Sequence, residues 1–240
     1  MDHLSLLFSS DELQYQISRK GKAVDFNSLQ KPFDWEGDFS ANFLEYLKGL
    51  LENKNIGSIS VLSAYAKFAP MPKGFSDHSM AQQLIAYNAP VDETRDEIML
   101  SINEKFDIQF YYTLPREYYN IIKQKNKTAK FNFSAEKFLS QIQVSNSPQI
   151  HIHLLRGQVE FFALSGKKVI LYNNLDINSE VDFLYFILFT LSKIGFTLNG
   201  TYFYIYGQTH ENETFIQELR KFATHLKIVF DNIPGKTFLL

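Results

Sequence analysis

The chain has 240 residues, 45% hydrophobic and 21% charged, which suits one large globular domain or two of ordinary size. A formal net charge of -2 gives it no general attraction to nucleic acid or to anionic membranes, so neither class of partner is favoured. The sequence contains no cysteine, which excludes disulfides, thiolate metal sites, iron-sulfur clusters and cysteine nucleophiles.

The N-terminal region predicts three strands, a helix and a further strand. Three segments alternate apolar and polar residues, as strands do, and polar turns separate them: 4–8, 13–18 and 23–26. Ser40 is placed to cap a helix whose apolar residues recur at helical spacing: Phe43, Leu44, Leu47, Leu50 and Leu51. A strand from Ile59 to Lys67 follows this helix.

The middle of the chain predicts short elements between less regular segments. Two prolines in Phe68–Phe75 predict a loop, and Ser76 with Asp77 is placed to cap a helix that reaches Tyr87. The acidic segment Asp92–Glu97 favours a solvated connection over a metal site. Alternation and helix-start signals then predict a strand, a helix, a short strand and a second helix: 106–114, from Pro115, 129–133 and from Ser134.

The second part of the chain begins with three strands that glycine turns connect: 150–155, 159–164 and 169–175. Ser179 is placed to cap the next helix, which Gly195 ends. This helix, 181–194, is apolar on nearly every side, and we expect it to be buried between two layers. A strand ending at Gly207, a helix over 211–224 and a strand over 226–230 complete the pattern.

The order of strand, strand, strand, helix, strand therefore occurs twice, from Leu4 and from Ile150. This pattern favours an internal repeat, although meanders are common enough for chance to produce it. The polar segment Gln143–Pro148 predicts the boundary, which gives two halves, residues 1–146 and 147–240.

The longest apolar run, Phe183 to Leu191, is shorter than the roughly 20 residues that span a bilayer, so we expect a cytoplasmic protein without a membrane span.

Two meanders followed by alternating helices and strands resemble the actin-like ATPase superfamily, in which two ribonuclease-H-like halves face each other across a cleft. More closely, four segments resemble an uncharacterised bacterial family known as a domain of unknown function: 68–75, 176–188, 195–196 and 204–207. This resemblance implies an α/β protein of mixed sheet order with two ribonuclease-H-like halves. It implies no assigned activity.

The turns that would bind phosphate in an actin-like ATPase are incomplete in this chain. Such a turn needs a glycine, whose amide reaches the phosphate, and an aspartate, which holds the hydrated metal. The first half offers the acid without glycine, and the second half offers glycine without the acid. The place of the glycine-rich adenosine loop has one glycine. The weak candidates for nucleotide binding are Ser9, Ser10, Asp11, Arg156, Gly157, Gly207, Gln208 and Thr209.

Three other motifs carry little chemistry. Gly235-Lys236-Thr237 is not a P-loop, because Pro234 precedes it and too few residues follow for a helix. His151 and His153 share one face of a strand, but no third ligand is in view, so we expect surface or cleft-facing histidines. The lysine cluster favours a helix C-terminus and a solvated loop over nucleic acid: Lys123, Lys125, Lys127 and Lys130.

These observations favour a non-catalytic actin-like protein that acts by binding a protein partner or itself, through the cleft or a sheet edge. The alternative is a nucleotide-binding protein with weak or no hydrolysis. Association with RNA through the lysine cluster is a third and weaker hypothesis. No catalytic residue, metal or cofactor is expected.

Overall fold

A computed structural model describes residues 1–32, 39–75, 77–177, 179–233 and 236–240. The predicted cap at Ser76 and the segment Pro234-Gly235 of the rejected P-loop lie outside these residues. The chain divides into two compact units, one formed by Met1–Phe138 with residues 236–240 and the other by Leu139–Ile233. This division falls within a helix, whereas the sequence places the boundary in the polar segment that follows.

The first unit contains a five-stranded sheet. Its strands are β1 (Asp2–Phe8), β2 (Glu12–Arg19), β3 (Lys22–Gln30), β4 (Ile56–Ser63) and β8 (Lys130–Phe133), in the order β3-β2-β1-β4-β8. The pairs β1–β2 and β2–β3 are antiparallel, and the pairs β1–β4 and β4–β8 are parallel. One face of this sheet carries the alternating apolar residues that the sequence predicted, among them Leu4, Leu6 and Phe8, all of which are buried.

Two helices, α1 (Ser40–Leu51) and α3 (Arg116–Lys125), pack with this sheet in one core cluster, and a third helix, α4 (Ser134–Gln141), follows β8 in the chain. The apolar stripe of α1 is buried as predicted, and it shares one core cluster with β1, β2 and α3. Ser40 does not cap α1, because the helix cap falls at Phe39 and no side chain bonds to the free amides there. The helix α3 begins directly after Pro115, whose fixed φ suits a helix start.

A three-stranded sheet is inserted in the chain between β4 and α3. Its order is β5-β7-β6, with β5 (Phe68–Pro72), β6 (Asp96–Asn103) and β7 (Ile108–Pro115), and both pairs are antiparallel. The loop predicted over residues 68–75 is therefore wrong. The prolines are tolerated because β5 is an edge strand, where a missing N–H breaks no sheet hydrogen bond. The sequence also missed β6, which begins inside the segment interpreted as a solvated connection.

The short helix α2 (Ala81–Ala86) packs against this small sheet through Ala81 and Ile85. One turn of 3-10 helix, His78–Met80, precedes it. The side chain of Asp77 accepts a hydrogen bond from the Ser79 amide, so the predicted aspartate cap is confirmed.

The second unit contains a five-stranded sheet with the same arrangement. Its strands are β9 (Pro148–Leu155), β10 (Gln158–Ser165), β11 (Lys168–Asp176), β12 (Tyr202–Gly207) and β13 (His225–Asp231), in the order β11-β10-β9-β12-β13. Again the meander pairs are antiparallel and the pairs β9–β12 and β12–β13 are parallel. The helices α5 (Glu180–Ile194) and α6 (Glu213–Arg220) share a core cluster with one face of this sheet.

The ends of α5 are those that the sequence predicts, but its surroundings are not. The Ser179 side chain accepts a hydrogen bond from the Asp182 amide, and Gly195 ends the helix in the left-handed conformation. Only one face of α5 is buried, whereas Val181 and Tyr185 are 74% and 60% exposed. The expectation that the helix lies between two layers is therefore wrong. Within the described ranges, no helix combines the length and the apolar character that crossing a membrane requires.

Candidate functional site

The turn between β1 and β2 contains the first group of predicted phosphate-binding residues. The Ser9 amide donates a hydrogen bond of 2.9 Å to the Glu12 carbonyl oxygen, and the Ser9 hydroxyl donates one of 3.2 Å to the same atom. Ser9 is buried, and a carboxylate oxygen of Asp11 lies 3.5 Å from Nζ of Lys31. The Asp11 carboxylate therefore lies near a lysine of the same unit, and the Ser9 amide already donates a hydrogen bond within the turn.

Ser10 lines a cavity of about 760 Å³ in the first unit, beside the starts of α1 and α3. The cavity carries charges of both signs. Nζ of Lys67 lies 2.8 Å from the buried carboxylate of Asp96, and the Arg116 guanidinium donates a hydrogen bond to the Asp96 carbonyl oxygen. Arg95 also lines this cavity.

The fourth cation of this cavity, Lys31, is the one that faces Asp11. Nε of Arg116 lies 3.2 Å from a Glu97 oxygen, as an ion pair rather than a hydrogen bond. Hydrogen bonds from Thr94 to the exposed Asp92 carboxylate lower the pKa of that group and keep it charged. Because most of its cations already face acids, the cavity suits a ligand with groups of both signs better than a bare polyanion.

The second group of candidates lies at the carboxyl ends of β9 and β12, which are parallel neighbours and therefore end at the same edge of the sheet. Arg156 and Gly157 form the two-residue turn after β9, and Gly157 has the positive φ, +63°, that this turn requires. The Gly157 carbonyl oxygen accepts a hydrogen bond of 3.0 Å from the Ile177 amide. This turn is thus tied to the end of β11.

Gly207, Gln208 and Thr209 lie beside that turn, and their backbone groups are engaged with neighbouring backbone. The Gln208 amide donates to the Leu154 carbonyl oxygen at 2.9 Å, and the Thr209 amide donates to the Gly207 carbonyl oxygen at 2.9 Å. The Gly207 carbonyl also accepts from the Asn232 amide at 2.8 Å. Gln208 and Thr209 are buried. The structure therefore brings the second group of candidates together in two neighbouring turns, whose backbone groups bond to nearby backbone.

A buried polar cluster on the same sheet was not found from the sequence. His153 Nδ1 lies 2.8 Å from one carboxylate oxygen of Glu160, and the Tyr172 hydroxyl donates to the other at 3.1 Å. His151 Nδ1 lies 3.0 Å from the Tyr206 hydroxyl. Both histidines are 2% exposed or less, so the surface position expected for them is wrong.

The electrostatics of this cluster follow from its burial. Burial lowers the pKa of His151 to about 3, which keeps the imidazole neutral. Burial and the Glu160 charge raise the pKa of Tyr172 well above its usual value. One signal in the sequence could have revealed Glu160, since it is the only acid in an apolar strand and the short hairpin sets it opposite His153.

Two further candidates from the sequence can be described by their local geometry. Among the described residues, no group of three or more histidine, aspartate or glutamate side chains is arranged to hold a metal ion. Nζ of Lys123, in the last turn of α3, donates to the carbonyl oxygens of Lys127 and Ala129. Lys123 thus bonds to the loop that follows the helix C-terminus, which is the arrangement that the sequence predicts for this cluster.

The two sheets of identical strand order define the class of the protein, and comparison with solved structures agrees. A crystal structure of a Bacteroides thetaiotaomicron protein with an actin-like ATPase fold and unknown function superposes with a TM-score of 0.77 at 18% identity, over 98% of this chain and 92% of that chain. A PilM-PilN type IV pilus biogenesis complex gives a TM-score of 0.53 at 12% identity, over 95% and 88%. The protein has an actin-like ATPase fold, as expected.

Residues 2–226 match the model of the family described as protein of unknown function (DUF3822), and the chain belongs to this family. The resemblance stated from four short segments is thereby confirmed. No curated protein matches the chain.

Proposed function

We propose that the protein is a non-catalytic member of the actin-like fold that acts by binding protein, with phosphate turns that no longer hold a nucleotide. One observation carries this proposal: backbone amides at both candidate sites already donate to carbonyl oxygens. These amides belong to Ser9, Gln208 and Thr209. In a nucleotide-binding turn such groups point at the phosphate.

The number of free hydrogen-bond donors limits what these turns can bind. Each backbone amide carries a single proton, so binding phosphate there would break an existing hydrogen bond. Gln208 and Thr209 are buried, and breaking their bonds would leave carbonyl oxygens such as that of Leu154 without their present donors. The cost of that exchange opposes nucleotide binding at this turn.

Calorimetry and thermal denaturation with magnesium and ATP test the proposal. We expect no heat of binding and no shift of melting temperature at about 5 mM ATP. A ligand at about 100 times its dissociation constant would stabilise the protein by about 2.7 kcal/mol, which such an experiment detects readily. Hydrolysis of ATP that disappears in Asp11→Ala would overturn the proposal. Hydrolysis that persists in Asp11→Ala and is lost on further purification comes from a contaminant, whereas hydrolysis that stays with the purified protein would also overturn the proposal.

A second candidate function is nucleotide binding with weak or no hydrolysis, through Ser9, Ser10, Gly157 and Gly207. The observation that favours it is the cavity of about 760 Å³ that Ser10 lines together with four cationic side chains. If it is correct, ATP binds and Lys31→Ala lowers the affinity, because Lys31 lines this cavity. The matched control is Lys22→Ala, which removes an exposed lysine at the start of β3, outside the cavity.

The partner in this proposal is another protein or a second copy of the chain. The structural relative solved in the PilM-PilN complex supports the idea that this fold can serve protein binding. We further propose that two ribonuclease-H-like halves, residues 1–146 and 147–240, arose by duplication, which the shared strand order supports. We also propose that the protein is bacterial and is located in the cytoplasm. Fractionation of cells that express it tests that location.

A further inference from the structure

Helix α5 exposes an apolar stripe, which we define as Val181, Tyr185 and Phe189. These side chains are 74%, 60% and 47% exposed, although they belong to a helix whose opposite face is fully buried. They recur every four residues and therefore lie along one face. The rings of Tyr185 and Phe189 stack with centroids 5.5 Å apart. Contiguous exposed apolar surface, unlike scattered apolar side chains, is typical of interaction sites.

Two charged residues lie on one flank of the stripe. Asp182 is in the first turn of α5 and Lys193 is in the last. At about 100° per residue, Asp182 lies roughly 60° and Lys193 roughly 80° from Tyr185, in the same rotational sense. Nζ of Lys193 lies 5.1 Å from the Phe189 ring centroid, so this cation borders the apolar surface directly.

This arrangement is complementary to itself. When two identical helices pack antiparallel about a two-fold axis, the same flank of each helix meets, and the first turn of one faces the last turn of the other. An axis level with residue 187 sets Tyr185 opposite Phe189 of the second copy. It brings Lys193 of the second copy to within about 1.5 Å, measured along the helix, of the level of Asp182. In this arrangement Asp182 of each copy pairs with Lys193 of the other, and the antiparallel helix dipoles attract each other.

We propose that α5 is a self-association surface, on which α5 of a second copy packs antiparallel. This inference rests on the proposed function, since it names a second copy as the protein that is bound. The charge pattern is what selects this occupant: opposite charges at opposite ends of one flank pair with each other only in the antiparallel arrangement. One helix face is smaller than the roughly 800 Å² per partner of a standard interface, so the dimer is weak.

Sedimentation analysis of the full chain across a concentration series tests the proposal. We expect monomer at about 1 µM and substantial dimer at several hundred µM, as a small interface implies. Tyr185→Glu places a charge at the centre of the stripe and is expected to weaken association at least about tenfold. A chain that stays monomeric throughout this range overturns the inference. The matched control is Val229→Glu on β13, which changes a side chain that is 45% exposed, outside α5. A dimer lost in Val229→Glu and kept in Tyr185→Glu also overturns it.

A charge reversal tests the antiparallel geometry separately. Lys193→Glu sets Glu against Asp182 of the second copy and is expected to weaken the dimer several-fold, whereas Asp182→Lys combined with Lys193→Glu restores attraction. A double variant as weak as the single variant contradicts the antiparallel geometry. Because these side chains lie on the surface, circular dichroism and urea denaturation verify that every variant folds. ATP calorimetry on the same samples separates the two proposals. If the protein dimerises and also binds ATP, the proposed function alone is overturned. If it stays monomeric and does not bind ATP, the α5 inference alone is overturned.

Discussion

Gly207 combines a backbone conformation and a close contact that only glycine satisfies. Its φ is +94°, and a Cβ atom there would lie 2.3 Å from the Leu154 carbonyl oxygen and 2.7 Å from Cδ2 of His153. Gly207→Ala must therefore strain the backbone and displace a strand, and we expect the free energy of unfolding to fall by about 3 kcal/mol. Urea denaturation followed by circular dichroism measures this loss.

The control for that prediction is Gly195→Ala at the end of α5. Gly195 also has a positive φ, +74°, but a Cβ atom there would meet no atom within 4 Å. This variant should lose only the conformational term, about 1 kcal/mol. Equal losses in the two variants would show that the contact with Leu154 and His153 contributes nothing.

His151 is expected to make the stability depend on pH. Its pKa in the folded protein is about 3, below the ordinary value of about 6.5, so the unfolded state binds more protons between these values. The contribution of this group to the free energy of unfolding is fully present above pH 6.5. It falls by about 1.4 kcal/mol per pH unit as the pH drops toward 3. When the pH is lowered from 7 to 5, the free energy of unfolding of His151→Gln should therefore fall by about 2 kcal/mol less than that of the unaltered protein.

Urea denaturation at pH 7 and pH 5 measures that difference. The same substitution at the exposed His210 is the control, and its loss between the two pH values should match that of the unaltered protein. If His151→Gln and the unaltered protein lose equal stability on acidification, His151 does not stay neutral in the folded state. A lower stability of His151→Gln at both pH values is compatible with the prediction, because only the change with pH reports the proton.

At the scale of elements, α5 depends on its cap. The Ser179 side chain accepts a hydrogen bond of 3.2 Å from the Asp182 amide, which would otherwise have no partner within the helix. Ser179→Ala is expected to lower the free energy of unfolding by about 1 kcal/mol. Ser192→Ala, at an exposed position inside α5, serves as control and should change stability little or raise it slightly. Thermal and urea denaturation at low micromolar concentration keep self-association out of both measurements.

At the scale of the molecule, the C-terminal segment belongs to the first unit. The rings of Phe138 and Phe238 meet edge to face with centroids 5.3 Å apart, and Phe238 is 8% exposed. Phe238→Ala leaves a cavity in this unit, and we expect a loss of about 3 kcal/mol in the free energy of unfolding. Ile233→Ala is the control, because its side chain is 54% exposed and its loss should stay within about 0.5 kcal/mol. A similar loss in both variants would mean that the Phe138 contact does not stabilise the fold.

Much of the fold can be predicted from local signals. Glycine turns after β9 and β10, the cap at Ser179 and the stop at Gly195 each depend on a few neighbouring residues, and each is found where the pattern indicates. The repeated order of strands and one helix depends only on periodicity, which hydrogen bonding within short segments imposes. At the candidate site, Gly157 and Gly207 are recognisable for the same reason.

Tertiary contacts decided the rest, because burial depends on which surfaces meet and not on the residues of one segment. The apolar helix α5 has one face on its sheet and leaves Tyr185 in solvent, a result that its composition does not contain. The prolines of β5 are compatible with a strand only because β7 pairs on one side. His153 is buried because Glu160, across the hairpin, satisfies it. The amides of Gln208 and Thr209 look available in the sequence, and the folded backbone occupies them.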